Sequence, residues 1–196
     1  MTDEISDDEL VETFQISAPG SNLAFESLVR RYETRVFRTC ARILRNHADA
    51  EDITQEVFVK VFRKLHGFER RSSFSTWLFS ITRNECFSAI SRRKTADDSN
   101  DNDLETAELE DISGSVENEI EQRDLLQKTL DRMTPAEGDV LISRFVSGLS
   151  IEEMSEVFHV SLSATKMRLY RAIEKFTAIA NQVSDSDLTN GAIDEE

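Results

Sequence analysis

The sequence predicts an all-α protein made of two small helical modules. Apolar residues recur at spacings of three and four along much of the chain, which is the periodicity of an amphipathic helix. Two segments match the capping box that starts a helix, and no segment shows the alternation of a strand or the glycine-rich loop of a phosphate site. A chain of 196 residues has room for two such modules.

The charge pattern divides the chain in the same way. The net charge of -15 argues, taken alone, against a partner rich in phosphate. However, residues 21–95 carry 15 Lys or Arg against eight Asp or Glu, and residues 122–178 carry eight of each. The remaining acids lie outside, with six in residues 1–20, eleven in 96–121 and five in 179–196. This asymmetry indicates a polyanion as the partner of the two modules.

Three helices are predicted in the basic module. The first covers residues 23–44, and the second ends near Gly67, which we expect to take a left-handed conformation. The third contains Trp77 and ends in the basic run 92–94, where positive charge suits the helix dipole. Because the links are short, we predict one compact bundle over residues 21–95. The preceding residues 1–20 are predicted to be an acidic N-terminal extension.

An acidic linker is predicted over residues 96–118, because its few aliphatic residues cannot bury enough surface to offset the entropy of ordering. The second module, residues 119–179, contains both capping boxes, Thr134–Glu137 with proline at the first helical position and Ser150–Glu153. The acidic tail, residues 180–196, is interpreted as serving either solubility or regulation.

The last helix of the second module is predicted to run from Leu162 to about Ile179. Leu162, Leu169, Ile173 and Phe176 recur at helical spacing along it. We therefore expect these four side chains to pack against the rest of the module.

Several classes of protein are disfavoured. The two cysteines, Cys40 and Cys86, do not form a CxxC pair, which fits a reducing compartment better than a disulfide scaffold. No apolar run approaches the roughly 20 residues that span a bilayer, and the first residues are acidic where a signal peptide is basic. We therefore expect a soluble cytoplasmic protein without membrane insertion. The scattered histidines and the low-complexity acids predict no metal site, no cofactor and no catalytic site.

A helix-turn-helix is predicted in the second module. A short helix, the turn 159–161 and a longer helix follow one another with the spacing of that motif, whose second helix lies in the major groove of DNA. A basic solvated face on an ordinary helical hairpin is the alternative interpretation. The residues expected to face DNA are Lys166, Met167, Arg168, Tyr170 and Arg171.

The segment LSIEEMSEVFHVSLSATKMRLYRA, residues 149–172, resembles the fourth conserved region of RNA polymerase sigma factors of the sigma-70 family. The extracytoplasmic-function (ECF) subfamily is the group that the whole chain resembles. The resemblance implies recognition of the minus-thirty-five promoter element. Ser155 stands where alanine is usual, Thr165 replaces a buried aliphatic residue, and His159 occupies a turn position where glycine is usual. His159 would therefore need a left-handed backbone.

The segment HADAEDITQEVFVKVFRKL, residues 47–65, carries an acidic row at helical spacing. It resembles the part of the second sigma region that docks on the clamp coiled coil of RNA polymerase. Acids at a helix start also favour the helix dipole, so simple capping is the alternative. The resemblance implies that the docking residues are Asp49, Glu51, Asp52, Gln55 and Glu56.

The segment GFERRSSFSTWLFSITRN, residues 67–84, resembles the family's reader of the minus-ten element. Separated DNA strands expose base faces that aromatic side chains, amides and a basic track can bind. The resemblance implies that Phe68 and Asn84 line a pocket for a flipped base, while Trp77 is interpreted either as core or as a DNA contact. The basic residues expected to follow the DNA backbone are Arg70, Arg71, Arg83, Arg92 and Arg93.

These resemblances predict a sigma factor. Such a protein binds the clamp coiled coil and the flap of core RNA polymerase, directs it to promoter DNA and assists promoter melting, and an anti-sigma factor is expected to regulate it. The alternative is a stand-alone helix-turn-helix regulator, which would bind duplex operator without polymerase.

Overall fold

The computed structural model describes residues 5–17, 22–96 and 125–191. These ranges contain eight α-helices and no strand, so the all-α prediction is confirmed for them. The predicted linker lies outside the described residues except for its first residue, Ala96. The helices are α1 (Asp7–Ile16), α2 (Leu23–Leu44), α3 (His47–Leu65), α4 (Phe74–Ala96), α5 (described over 125–131), α6 (Pro135–Phe145), α7 (Ile151–Phe158) and α8 (Leu162–Gly191).

Helix α1 packs onto the first module instead of extending away from it. Leu10, Val11 and Phe14 are buried against the bundle, while Ser6 and Glu9 form a capping box at the solvent-facing start. The segment predicted as an acidic N-terminal extension therefore contains a helix that packs on the bundle. Its acids occupy the first turn and the exposed face, and a short apolar stripe is enough to dock a helix.

The corners of the first module are set by local backbone chemistry. Arg45 takes a left-handed φ of 56° after α2, and the Asn46 side chain accepts a hydrogen bond of 3.0 Å from the Asp49 amide to cap α3. Gly67 is not left-handed, contrary to prediction. Instead, backbone hydrogen bonds from the Gly67 and Phe68 amides to the carbonyls three residues earlier, as in a 3₁₀ turn, end α3. The left-handed residue in this loop is Arg70, with φ 56°.

Helices α2, α3 and α4 form the core of the first module. Leu28, Val36, Val57, Val61 and Leu78 are each fully buried. Burial of an aliphatic side chain of this size contributes roughly 1.5 to 3 kcal/mol. This packing fixes the faces of α3 and α4 that remain in solvent.

The second module consists of α5 to α8. Both predicted capping boxes are present, at Thr134 with Glu137 and at Ser150 with Glu153. Helix α8 continues to Gly191, beyond the predicted end near Ile179, so the part of the predicted acidic tail that the structure describes, residues 180–191, is helical.

The core of the second module departs from prediction at one end of α8. Leu169 is buried, and Ile173 and Phe176 are half-buried, as the spacing predicted. Leu162 is 38 % exposed instead of buried. It is the first residue of α8, where side chains tilt back beyond the helix start.

The two modules pack against each other, α2 against α6 and α4 against α7, and their buried residues form one continuous cluster. None of the helices in the described ranges combines the length and the apolar character needed to cross a bilayer. The same ranges contain no group of three or more His, Cys, Asp or Glu side chains arranged to hold a metal ion.

Candidate polymerase and nucleic-acid interfaces

The acidic row lies on the solvent face of α3. Glu51, Asp52, Gln55 and Glu56 are exposed, while Ile53 and Val57 on the opposite face hold the helix to the core. Because positions 52, 55 and 56 share one side of the helix, their polar groups converge on one surface. They line a shallow groove together with Val59, Lys60, Arg63 and Glu85.

The first and last acids of the predicted row contact the end of α4. Arg93 forms an ion pair with Asp49, and Arg92 lies 3.9 Å from Glu56. Asp49 is consequently less open than the other four docking candidates. These two arginines, predicted to follow the DNA backbone, lie instead against the acidic row.

The aromatic pair of the predicted minus-ten reader stacks. The rings of Phe68 and Trp77 lie 4.6 Å apart at an interplanar angle of 25°. Phe68 is only 8 % exposed, whereas Trp77 is half-buried. Trp77 is therefore both a packing residue and a partly open ring. The loop is anchored from α1, since the Gln15 amide donates to the carbonyls of Leu65 and Phe68 at 3.0 and 2.9 Å.

A groove opens beside this pair. It is lined by aromatic and basic groups, among them Phe68, Trp77, Lys64 and Arg71. Asn84 is exposed on α4, seven residues and about 10 Å along the helix from Trp77 on the same face. Asn84 does not line the groove, so the structure does not bring Phe68 and Asn84 into one pocket.

The remaining predicted backbone contacts divide between two places. Arg71 is open to solvent beside Glu69, and Arg70 bonds to the Gln15 side-chain oxygen at 3.1 Å. Arg83 lies at the interface between the two modules, where it contacts Asp139 of α6. In this arrangement Arg83 does not lie beside Arg70 and Arg71, and its contact with the DNA backbone stays a prediction.

The predicted minus-thirty-five face is open. On α8, Leu169 and Ala172 are buried against the module, which turns the intervening side chains outward. Met167 is 52 % and Tyr170 66 % exposed. The exposed set contains all five predicted residues, Lys166, Met167, Arg168, Tyr170 and Arg171.

The turn before α8 has the geometry that the sequence required. His159 takes φ 53° and ψ 44°, which confirms the predicted left-handed conformation, and the Val160 amide donates to the Ser155 carbonyl at 3.1 Å. Thr165 is buried, and its hydroxyl donates to the Ser161 carbonyl at 3.1 Å. The hydroxyl is therefore satisfied where an aliphatic residue would otherwise sit.

A polar seam between the modules was missed by sequence reasoning. Arg83 on α4 donates to Asp139 on α6 at 2.7 Å, and Asp139 is only 4 % exposed. Burial raises the pKa of Asp139, and the neighbouring Arg83 opposes that rise. The only signal in the sequence was an acid placed next to the apolar run Val140–Ile142.

The second contact of the seam centres on Glu153. One of its carboxylate oxygens accepts from the hydroxyls of Ser73, Ser75 and Thr76 at 2.9, 2.7 and 3.1 Å. Burial disfavours the charge, but hydrogen bonds from the Ser150 amide and from these hydroxyls outweigh it and lower the pKa of Glu153 to about 2. Glu153 thus caps α7 and also binds the start of α4.

Comparisons with known proteins agree with this architecture. The family model described as Sigma-70 region 2 matches residues 28–96, and the one described as Sigma-70, region 4 matches residues 123–176. The ECF RNA polymerase sigma-E factor of Escherichia coli K12 is 29% identical over 93% of this chain and 97% of its own. The ECF sigma factor SigW of Bacillus subtilis is 26% identical over 85% and 92%.

Solved structures show the same fold. CnrH in complex with the cytosolic domain of CnrY aligns with a TM-score of 0.68 and 22% identity, over 90% of this chain and 97% of that one. The sigma factor RpoE in complex with the anti-sigma factor NepR, from Bartonella quintana, aligns with a TM-score of 0.68 and 23% identity, over 80% and 96%. Two matching region models, full-length relatives and a shared fold leave one assignment: the chain belongs to the sigma-70 family, as an ECF RNA polymerase sigma factor with region 2 and region 4 domains.

Proposed function

We propose that this sigma factor, which directs RNA polymerase to promoters without catalysing a reaction itself, divides the work among three surfaces. The acidic row of α3 binds core polymerase, the loop before α4 and the adjoining face of α4 hold the opened minus-ten element, and α8 reads the minus-thirty-five element. The observation that carries the proposal is the exposed acidic row in the middle of a basic module. Nucleic acid would repel these carboxylates, so they require a different, cationic partner.

The docking surface is suited to arginines. Carboxylates of Asp52 and Glu56 stand one turn apart in solvent, and a planar guanidinium bonds a carboxylate through two parallel hydrogen bonds. Val59, 48 % exposed, continues the same face and offers apolar contact. We assign the polymerase clamp coiled coil as the partner of this face and the flap as the partner of region 4.

The minus-ten surface would act by trapping an unstacked base. The Trp77 ring is backed by Phe68, so stacking a base on its open side requires little rearrangement. Lys64 and Arg71 beside it supply positive charge for phosphates. Such contacts offset the few kcal/mol that unpairing a base costs.

The minus-thirty-five surface would act by reading duplex DNA. Lys166, Arg168 and Arg171 donate hydrogen bonds, and Met167 and Tyr170 add apolar contact, all from the helix that follows the turn. An arginine bonded to a guanine edge contributes about 1 to 3 kcal/mol of discrimination. We further propose that the protein acts in the cytoplasm and that an anti-sigma factor regulates it, as the solved structure of RpoE contains the anti-sigma factor NepR.

The deciding experiment tests the acidic row. Asp52→Arg combined with Glu56→Arg should abolish co-purification with core polymerase and run-off transcription, because both charges reverse at the docking face. A control pair, Glu152→Arg with Glu156→Arg, makes the same charge change on the exposed face of α7 and should keep core binding. Unchanged core binding by the α3 variant, with helical content preserved in circular dichroism, would remove this face as the docking site.

A further inference from the structure

The loop between α3 and α4, residues 66–73, forms one wall of the groove that we propose holds the minus-ten element. Helix α1 lies against this loop on the side away from α4. We infer that Gln15 of α1 is a positioning residue for the minus-ten element, because it fixes the backbone that carries Phe68 and so shapes the groove before DNA arrives. This inference rests on the proposed role of the groove in strand binding.

Gln15 uses both ends of its side-chain amide on the loop. Its Nε2 donates to the carbonyl of Leu65 at 3.0 Å and to that of Phe68 at 2.9 Å, and its Oε1 accepts from Arg70 Nη2 at 3.1 Å. The two carbonyls need a donor and the guanidinium needs an acceptor, so one orientation of the amide serves all three groups. The three contacts run from the last residue of α3 to the middle of the loop.

These bonds complete the end of α3. The last carbonyls of a helix have no partner within that helix and must find donors elsewhere. The Leu65 carbonyl accepts from the Phe68 amide at 3.1 Å, and Gln15 supplies its second donor. Helix α1 therefore contributes to the C-terminal cap of α3 from a position 50 residues earlier in the chain.

Arg70 is the strained residue of the loop, with a left-handed φ of 56°. A residue with a Cβ keeps this conformation only where the surrounding contacts hold it. Arg70 is held by its hydrogen bond to Gln15 and by an ion pair of 3.6 Å between its Nη1 and Glu12 Oε2. Because Glu12 and Gln15 are three residues apart, they lie on one face of α1 and act on the loop together.

The fixed backbone supports the aromatic pair of the groove. Phe68 is 8 % exposed and stacks on Trp77 with ring centres 4.6 Å apart. At the first residue of the loop, the ring of buried Phe14 lies 4.6 Å from that of His66, which adds a second contact from α1. A base can stack on the open side of Trp77 only while Phe68 supports the other side, and the bonds of Gln15 preserve that arrangement.

Trp77 is the only tryptophan in the chain, so the fluorescence of the intact protein reports on this groove. Gln15→Met removes the amide at similar size and keeps a good helix former. Gln15→Glu keeps an acceptor for Arg70 but offers the two carbonyls no donor when ionised. As controls, Thr13→Val removes a polar group from the exposed face of α1, and Ile53→Val lowers the stability of the same module away from the loop.

We expect both Gln15 variants to shift the Trp77 emission to longer wavelength, because the indole gains contact with water when Phe68 is released. With core polymerase, on a promoter found by run-off transcription, permanganate reactivity of unpaired thymines measures open complexes. At subsaturating holoenzyme these should fall about tenfold, as follows if the loop is ordered about a tenth of the time. Co-purification with core polymerase should not change, and Thr13→Val and Ile53→Val should match wild type in both emission and open complexes.

Three results would overturn the inference. Unchanged Trp77 emission in both Gln15 variants would show that the amide does not hold the loop, and wild-type behaviour of Gln15→Glu would show that its bonds to the carbonyls are not needed. An equal loss in Ile53→Val would reduce Gln15 to a contributor to stability. A shifted emission with wild-type open complexes would likewise exclude a role in handling the strand.

The emission measurement needs no polymerase, which separates this inference from the proposed function. Absence of start-site selection by the wild-type protein with core polymerase would refute the function, and the emission would still show whether Gln15 positions the loop. Start-site selection by wild type, with no difference in the Gln15 variants, would refute the positioning role alone.

Discussion

The turn between α7 and α8 stores backbone strain that a single substitution should release. His159 is left-handed with φ 53°, and its side chain is exposed, so it contributes little packing. A residue with a Cβ costs about 1 to 2 kcal/mol in this conformation, and glycine avoids that cost. Against this, glycine has more conformational freedom in the unfolded chain, which lowers the stability of the folded state by roughly 0.5 to 1 kcal/mol. We therefore expect His159→Gly to raise the free energy of unfolding of region 4 by about 0.5 to 1 kcal/mol.

Urea unfolding followed by circular dichroism measures this change, with two matched variants. His159→Ala keeps the Cβ and removes the imidazole, so it should give little of the gain. Glu156→Gly introduces glycine at an exposed helical position of α7 and should lower stability by about 1 kcal/mol. If His159→Gly is no more stable than His159→Ala, the strain argument fails.

Two further predictions concern binding and pH. Lys166→Ala and Arg171→Ala should each weaken promoter binding in the polymerase complex and reduce the slope of log affinity against log salt by about one. Arg132→Ala, on an exposed part of the same module, should change neither quantity. Equal slopes in all three variants would refute phosphate contact at α8. Because the pKa of Glu153 falls from 4.5 to about 2 on folding, its contribution is complete above pH 4.5 and is lost as the pH falls toward 2. After allowance for the partial exposure of Glu153, its contribution to the free energy of unfolding is about 1 kcal/mol. The free energies of unfolding of wild type and Glu153→Gln, measured against pH, should therefore converge between pH 5 and 2.5. A constant difference over this range would refute the contribution of the Glu153 charge.

Local patterns explain which parts of the fold were predictable. The capping boxes at Thr134 and Ser150 depend on residues three apart, and the left-handed turn at His159 was predicted from the resemblance, which places His159 where glycine is usual. The exposure of Asp52 on α3 likewise follows from helical spacing. Such features need only near neighbours in the chain, so the sequence predicts them well.

Features that depend on distant partners were not predictable. The residues of α1 were predicted only as part of an acidic extension, because the packing of Leu10, Val11 and Phe14 depends on the bundle that they contact. Gly67 is a local exception, because hydrogen bonds from the Gly67 and Phe68 amides to carbonyls three residues earlier end α3 without a left-handed residue.

The sequence by itself determined the all-helical modules, the family and the outward faces of α3 and α8, because helical periodicity and capping are encoded within one or two turns. Only the tertiary structure decided that Arg83 meets Asp139 and that Glu153 reaches the start of α4. Those pairs join residues more than 50 positions apart, and their energy depends on burial that exists only once the two modules pack together.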